Sequence, residues 1–151
     1  MADANNTIST LNTLIQANKD GESGFAEAAQ GVTNNEVKNL FMQKSQQRSQ
    51  FASELQNEVS RLGGDPQTSG SVVASLHRGW IDIKSIVTGK DEAAILAECE
   101  RGEESIVNNY NEALKQPLPT EVNSIIENQQ RQILESHAKI RSLKEALSAT
   151  A

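Results

Sequence analysis

Apolar residues recur every three or four positions through four long windows of the chain, and all three prolines, with Gly31, Gly63-Gly64 and Gly89, fall between those windows. That period marks amphipathic helices that each bury one stripe. The first window covers residues 7–30, with Ile8, Leu11, Leu14, Ile15, Phe25, Ala28 and Ala29 on its stripe. Gly31 breaks it, and Thr33 or Asn34 is suited to cap the second helix. The second window runs to residue 62 through Val37, Leu40, Phe41, Phe51, Leu55, Val59 and Leu62, and stops at Gly63-Gly64.

Residues 65–90 form a connection too long for an empty loop. Within it, residues 72–87 carry Val73, Leu76, Trp80, Ile83 and Val87 at helical spacing. The third long window opens after Gly89 with Asp91 as cap and reaches Lys115, on a stripe of Ile95, Leu96, Cys99, Ile106, Tyr110, Ala113 and Leu114. A short stiff turn through Pro117 and Pro119 leads to the fourth, with Thr120 as the expected cap. Its stripe is Val122, Ile125, Ile126, Ile133, Ile140, Leu143 and Leu147.

Two short turns and one long middle connection predict an all-α fold: a ferritin-like four-helix bundle. Its one long crossover, containing a short helix, lies between long helices two and three. Residues 7–149 are expected to form one domain, and residues 1–6 a disordered N-terminus.

The stripes fail at one height. Extended by heptad steps, the first helix places Asn18 and Glu22 among its inward positions, and the second places Lys44 and Arg48 there. The third puts Glu103 between Cys99 and Ile106, and the fourth offers Gln129 or Gln130, then Ser136 or His137. At the helical rise, Glu22, Lys44, Glu103 and His137 lie roughly 14–18 Å from the end of the bundle that carries the first turn, with Arg48 at about 21 Å. Two carboxylates in a low-dielectric interior require positive charge beside them. Either a metal ion supplies it, or Arg48, Lys44 and protonated His137 do so as a buried salt-bridge network.

Composition narrows the function classes. Aromatic residues make up only 3% of the chain, but the strong periodicity argues against disorder. A net charge of -6 with no basic stripe argues against nucleic acid as a partner. A single cysteine, Cys99, excludes an internal disulfide and reads as a small core residue. No secretory segment or membrane-length apolar run is present, so a cytoplasmic protein with no membrane partner is expected. No nucleophile–base motif or phosphate-binding glycine loop appears, so no catalytic or cofactor-binding residue is assigned.

Asp20-Gly-Glu-Ser-Gly-Phe25 and Glu100-Arg-Gly-Glu103 resemble the Gly-Glu segments on helices one and three of rubrerythrin and ferritin-like proteins. With Glu54-Leu-x-x-Glu58-Val-x-Arg61-Leu-Gly-Gly, Ser75-Leu-His-Arg-Gly-Trp80 and His137-x-x-Ile140-Arg141, the chain resembles an uncharacterised bacterial four-helix-bundle family of that clan, a domain of unknown function. The resemblance implies Glu22 and Glu103 as single-glutamate ligands of a di-iron centre. It also implies Glu-x-x-His on the other two helices, yet helix two has Gln46-Gln47-Arg48-Ser49-Gln50 and helix four Leu134-Glu135-Ser136-His137.

The expected function is therefore a non-enzymatic ferritin-like bundle protein, stress-related by family association, with a buried polar layer of Glu22, Glu103, Lys44, Arg48 and His137. The alternative is a divergent metal-binding protein holding iron or manganese on Glu22, Glu103 and His137. A homodimer is the assembly that the resemblance suggests, although no uninterrupted exposed apolar face stands out. A hollow cage is not expected, for want of a fifth helix after Leu147. In His77-Arg78-Gly79-Trp80, Trp80 is read as a lid on the bundle, Gly79 as allowing close approach, and His77 as a surface or capping residue.

Overall fold

The computed structural model describes residues 3–67, 80, 83–89 and 91–150, the side chains of 147–150 excepted. Five helices occupy them: α1 Ala4–Gln30, α2 Asn35–Arg61, α3 Ile83–Gly89, α4 Glu92–Leu114 and α5 Thr120–Thr150. The described residues contain no strand. None of these helices is long and apolar enough to cross a membrane.

The helix ends follow from local chemistry. Asp3 caps α1 by accepting from the Asn5 amide, so the helix starts inside the segment expected to be disordered. Of the two candidates before α2, Asn34 is the cap, accepting from the Glu36 and Val37 amides. Asp91 caps α4 through the Ala94 amide. Gly63 ends α2 at φ 84°, with its amide on the Ser60 carbonyl and that of Gly64 on the Val59 carbonyl. Both bonds belong to the Schellman arrangement, which needs a left-handed residue at that step. Thr120, expected as a cap, is instead the first residue of α5, and the Pro119 carbonyl accepts from Asn123.

α1 packs along α2 and α4, α4 packs on α5, and α2 touches α5 only lightly. At one end, the Glu92 carboxylate at the start of α4 accepts from the Thr33 amide and hydroxyl in the α1–α2 turn. Those bonds hold that carboxyl below its usual range. At the other end, Asn6 donates to Gln116 at 3.3 Å, and Arg61 pairs with Glu121 at 3.3 Å.

The core has two parts. Leu11, Leu14, Ile15, Phe51, Leu55, Val59, Ile106, Ile126 and Ile133 fill one half. Phe25, Phe41, Trp80, Ile83, Ile95, Leu96 and Ile140 fill the other. Between them each long helix contributes buried polar side chains: Asn18 on α1, Lys44 and Arg48 on α2, Glu103 on α4, and Gln129 and Ser136 on α5. Of the layer read from the sequence, Lys44, Arg48 and Glu103 are buried, whereas Glu22 and His137 are not.

Trp80 explains two of the glycines placed inside long helices, where each costs about 1 kcal/mol against alanine. A Cβ on Gly24 of α1 or Gly102 of α4 would overlap the indole ring. A third, Gly21, faces Arg48 instead, and a Cβ there would lie 3.4 Å from its Cγ. Two helices therefore give up side chains so that one indole can lie between them. The close approach expected of Gly79 belongs, among the described residues, to Gly24 and Gly102; Gly79 and His77 lie outside those residues, as do Val73 and Leu76.

Candidate polar-layer site

At the centre of the layer, Arg48 Nη2 donates to Glu103 Oε1 at 2.6 Å. The two side chains are 1% and 0% exposed. Charge-assisted bonds of this length are among the stronger ones, but two buried ions bring a desolvation cost of comparable size. The same nitrogen lies 3.4 Å from the Ser136 hydroxyl, and Arg48 Nε donates to Gln47. Among the described residues, the buried Glu103 Oε2 has no hydrogen-bond partner.

Phe25 lies beneath both buried cations of α2, with Lys44 Nζ 5.8 Å and the Arg48 guanidinium 5.5 Å from its centroid. A ring face attracts a cation, which offsets part of the lost hydration. For Lys44 that offset is incomplete. Burial lowers its pKa from 10.5 to about 8; attraction from Glu103 opposes the shift, and repulsion from Arg48 and Lys139 adds to it.

A second network lies one turn away. Asn18 Nδ2 donates to the Tyr110 hydroxyl at 2.8 Å, which in turn donates to Gln129 Oε1 at 2.6 Å. Gln129 donates onward to the Phe51 carbonyl. Burial pushes the Tyr110 phenol well above its usual range. The stripe marked Tyr110 as apolar, because its ring fills the core while its hydroxyl joins the polar layer.

Two residues expected inside are elsewhere. Glu22 is only half buried and pairs with Lys19 at 3.3 Å, because Gly21, not Glu22, faces the core between Asn18 and Phe25. His137 is also half buried, since its neighbour Ser136 takes the inward position. Glu22, Glu103 and His137 therefore do not converge. Of the His, Cys, Asp and Glu groups among the described residues, those whose ligand atoms lie within 4.8 Å of one another are Glu100, Glu104 and His137. That group sits on the flank of α4 and α5, where Arg141 reaches Glu100 and Glu104 at 3.6 and 3.9 Å and Lys144 reaches Glu100 at 3.1 Å. Its spacing was readable as i, i+4 on one helix, but nothing in the pattern of stripes pairs it with His137.

Asp20 and Glu98 are further buried acids that the stripes did not mark. Cys99 is fully buried, and desolvation pushes its thiol well above the usual range. It is a core residue, as its place in the stripe indicated.

A family model described as a domain of unknown function (DUF2383) matches residues 6–116, from α1 to the turn after α4. No curated protein matches the chain.

Proposed function

The chain belongs to the DUF2383 family, and on that premise we propose that it is a non-enzymatic, ferritin-like bundle protein of the bacterial cytoplasm whose interior polar layer is structural. The observation that carries this reading is the buried Arg48–Glu103 pair. A cation already neutralises the Glu103 carboxylate at the centre of the layer and fixes α2 against α4 in register.

The ferritin-like topology is supported by contacts at the two ends. Thr33 meets Glu92 at one, while Asn6 meets Gln116 and Arg61 meets Glu121 at the other. A chain that leaves α2 at the second end and begins α4 at the first needs a connection running the length of the bundle.

Di-iron bundles of that topology take a Glu from each of two helices and Glu-x-x-His from each of the other two. The interior residues here do not fit that group. Arg48 is bonded to Glu103, Gln129 and Ser136 are the buried polar residues of α5, and an arginine in the layer repels a metal pair. No chemistry is therefore derived through such a centre.

A second reading is iron or manganese binding on the flank. The convergence of Glu100, Glu104 and His137 favours it, with Nδ1 of His137 buried and without a hydrogen-bond partner. Elemental analysis after iron or manganese loading, with a melting curve, separates the readings. The structural reading expects sub-stoichiometric metal and an unchanged Tm. Stoichiometric metal that is lost on Glu103→Gln would overturn it. Metal kept by that variant but lost on His137→Ala would establish the flank site instead.

A further inference from the structure

Lys44 is 3% exposed, and among the described residues it has no hydrogen bond and no carboxylate within 4 Å. A buried ammonium without such a partner is uncommon, because lysine is rarely taken out of water unpaired. It is not sealed in, however. It lines a pocket of about 120 Å³ between α2 and α5, which are the neighbouring long helices that pack least closely. Gln47, Gln132, Glu135, Ser136 and Lys139 complete most of the wall. A larger groove of about 630 Å³ shares Leu40, Gln43 and Lys139 with it.

The charges around the amine come from three helices. Arg48 lies one turn on along α2, Glu103 and Cys99 face it from α4, and Lys139 faces it from α5; Glu135 of α5 also lines the pocket. α1 places the Phe25 ring beside it. Glu103 is committed to Arg48. A protonated Lys44 would therefore leave the layer with one positive charge in excess. Desolvation and neighbouring cations are the two means by which proteins make a lysine nucleophilic, and both act on this one.

We propose that Lys44 is a built site for reversible imine formation with a small aldehyde that reaches it between α2 and α5. Neutral Nζ attacks the carbonyl carbon, and the π pair of the C=O bond moves to oxygen. The resulting carbinolamine loses that oxygen as water, whose two hydrogens come from Nζ, and the C=N bond forms. Glu135 is the pocket carboxylate at hand to relay those protons. The free amine needed for the attack is abundant near pH 8, where an ordinary lysine is almost wholly protonated. A pocket of this volume takes a group of a few heavy atoms.

The test uses the intact wild-type protein with acetaldehyde and cyanoborohydride, the hydride donor that reduces the imine to a stable secondary amine. Peptide mass spectrometry then measures the ethylation rate at each lysine. At pH 8 Lys44 is expected to react about tenfold faster than exposed Lys38 and Lys84, with a rate that levels off above pH 8 while theirs keep climbing. A Lys44 that stays unmodified, or reacts no faster than those two in the folded protein, overturns the proposal. That result would leave the structural reading of the Arg48–Glu103 pair untouched.

Discussion

Arg48 and Glu103 face each other across the centre of the bundle at 2.6 Å, one from α2 and one from α4, both closed off from solvent. Gly21 of α1 faces the arginine, and a Cβ there would lie 3.4 Å from its Cγ, within ordinary contact. The pair divides an apolar core into two halves and leaves Lys44 beside it as a surplus cation. Four consequences can be measured apart from the pair itself.

Glu22 is partly solvated and pairs with Lys19. Exposed pairs of this kind contribute little. Glu22→Gln is expected to change unfolding free energy by less than about 0.5 kcal/mol in urea titration. A loss of several kcal/mol would place this carboxylate inside the layer after all.

Gly24→Ala would gain helix propensity, worth about 1 kcal/mol, but drive a methyl group into the Trp80 ring. Overpacking of this kind costs about 1–3 kcal/mol. Overlap with a ring held on both sides is the larger effect, so net destabilisation is expected, and likewise for Gly102→Ala. Trp80 is the one tryptophan of the chain, so its fluorescence should shift to the red in both variants. The penalty should shrink when Trp80→Phe is added.

The single tyrosine permits a clean titration. Burial raises the Tyr110 phenol above its ordinary value of 10. The folded protein should therefore show no phenolate absorbance at a pH where free tyrosine is ionised. The raised pKa contributes stability that is complete below pH 10. It is lost above pH 10, where the unfolded state sheds the proton first. Absorbance and unfolding should then rise together; ionisation near pH 10 in the folded protein would contradict the buried network.

Lys44 has the opposite sign. Its pKa is depressed from 10.5 to about 8, so between those values the unfolded chain binds more protons and stability rises with pH. Desolvation outweighs the attraction of Glu103. Lys44→Met should therefore stabilise the protein at pH 7, on the order of 2–3 kcal/mol, and flatten the slope between pH 8 and 10. Denaturant midpoints across that range provide the check.

Much of this organisation was legible in the spacing of residues. Leu11 to Phe25, Val37 to Val59, Ile95 to Ala113 and Val122 to Ile140 mark four stripes, and three of the residues at which they fail, Lys44, Arg48 and Glu103, are buried. What spacing could not supply was the angle around each helix. Between Asn18 and Phe25, steps of four then three select Glu22, whereas steps of three then four select Gly21. A glycine carries no hydropathy signal, so the pattern favoured the glutamate. The mid-helix glycines were nonetheless a signal: Gly24 and Gly102 cost propensity, and each makes room for Trp80. Ser136 and His137 posed the same choice on α5, and the smaller residue faced inward. Tyr110 and Lys44 were legible as buried, but a one-dimensional pattern cannot tell whether a buried polar atom finds a partner.

The most direct test of the structural reading is a double-mutant cycle on Arg48 and Glu103, using Arg48→Met, Glu103→Leu and the combined variant, with urea unfolding of each. Either single change should cost about 3–5 kcal/mol by stranding a buried charge, and the combined change should recover most of that loss. Strictly additive losses, or a single Glu103 variant as stable as the wild type, would contradict a layer held by this pair.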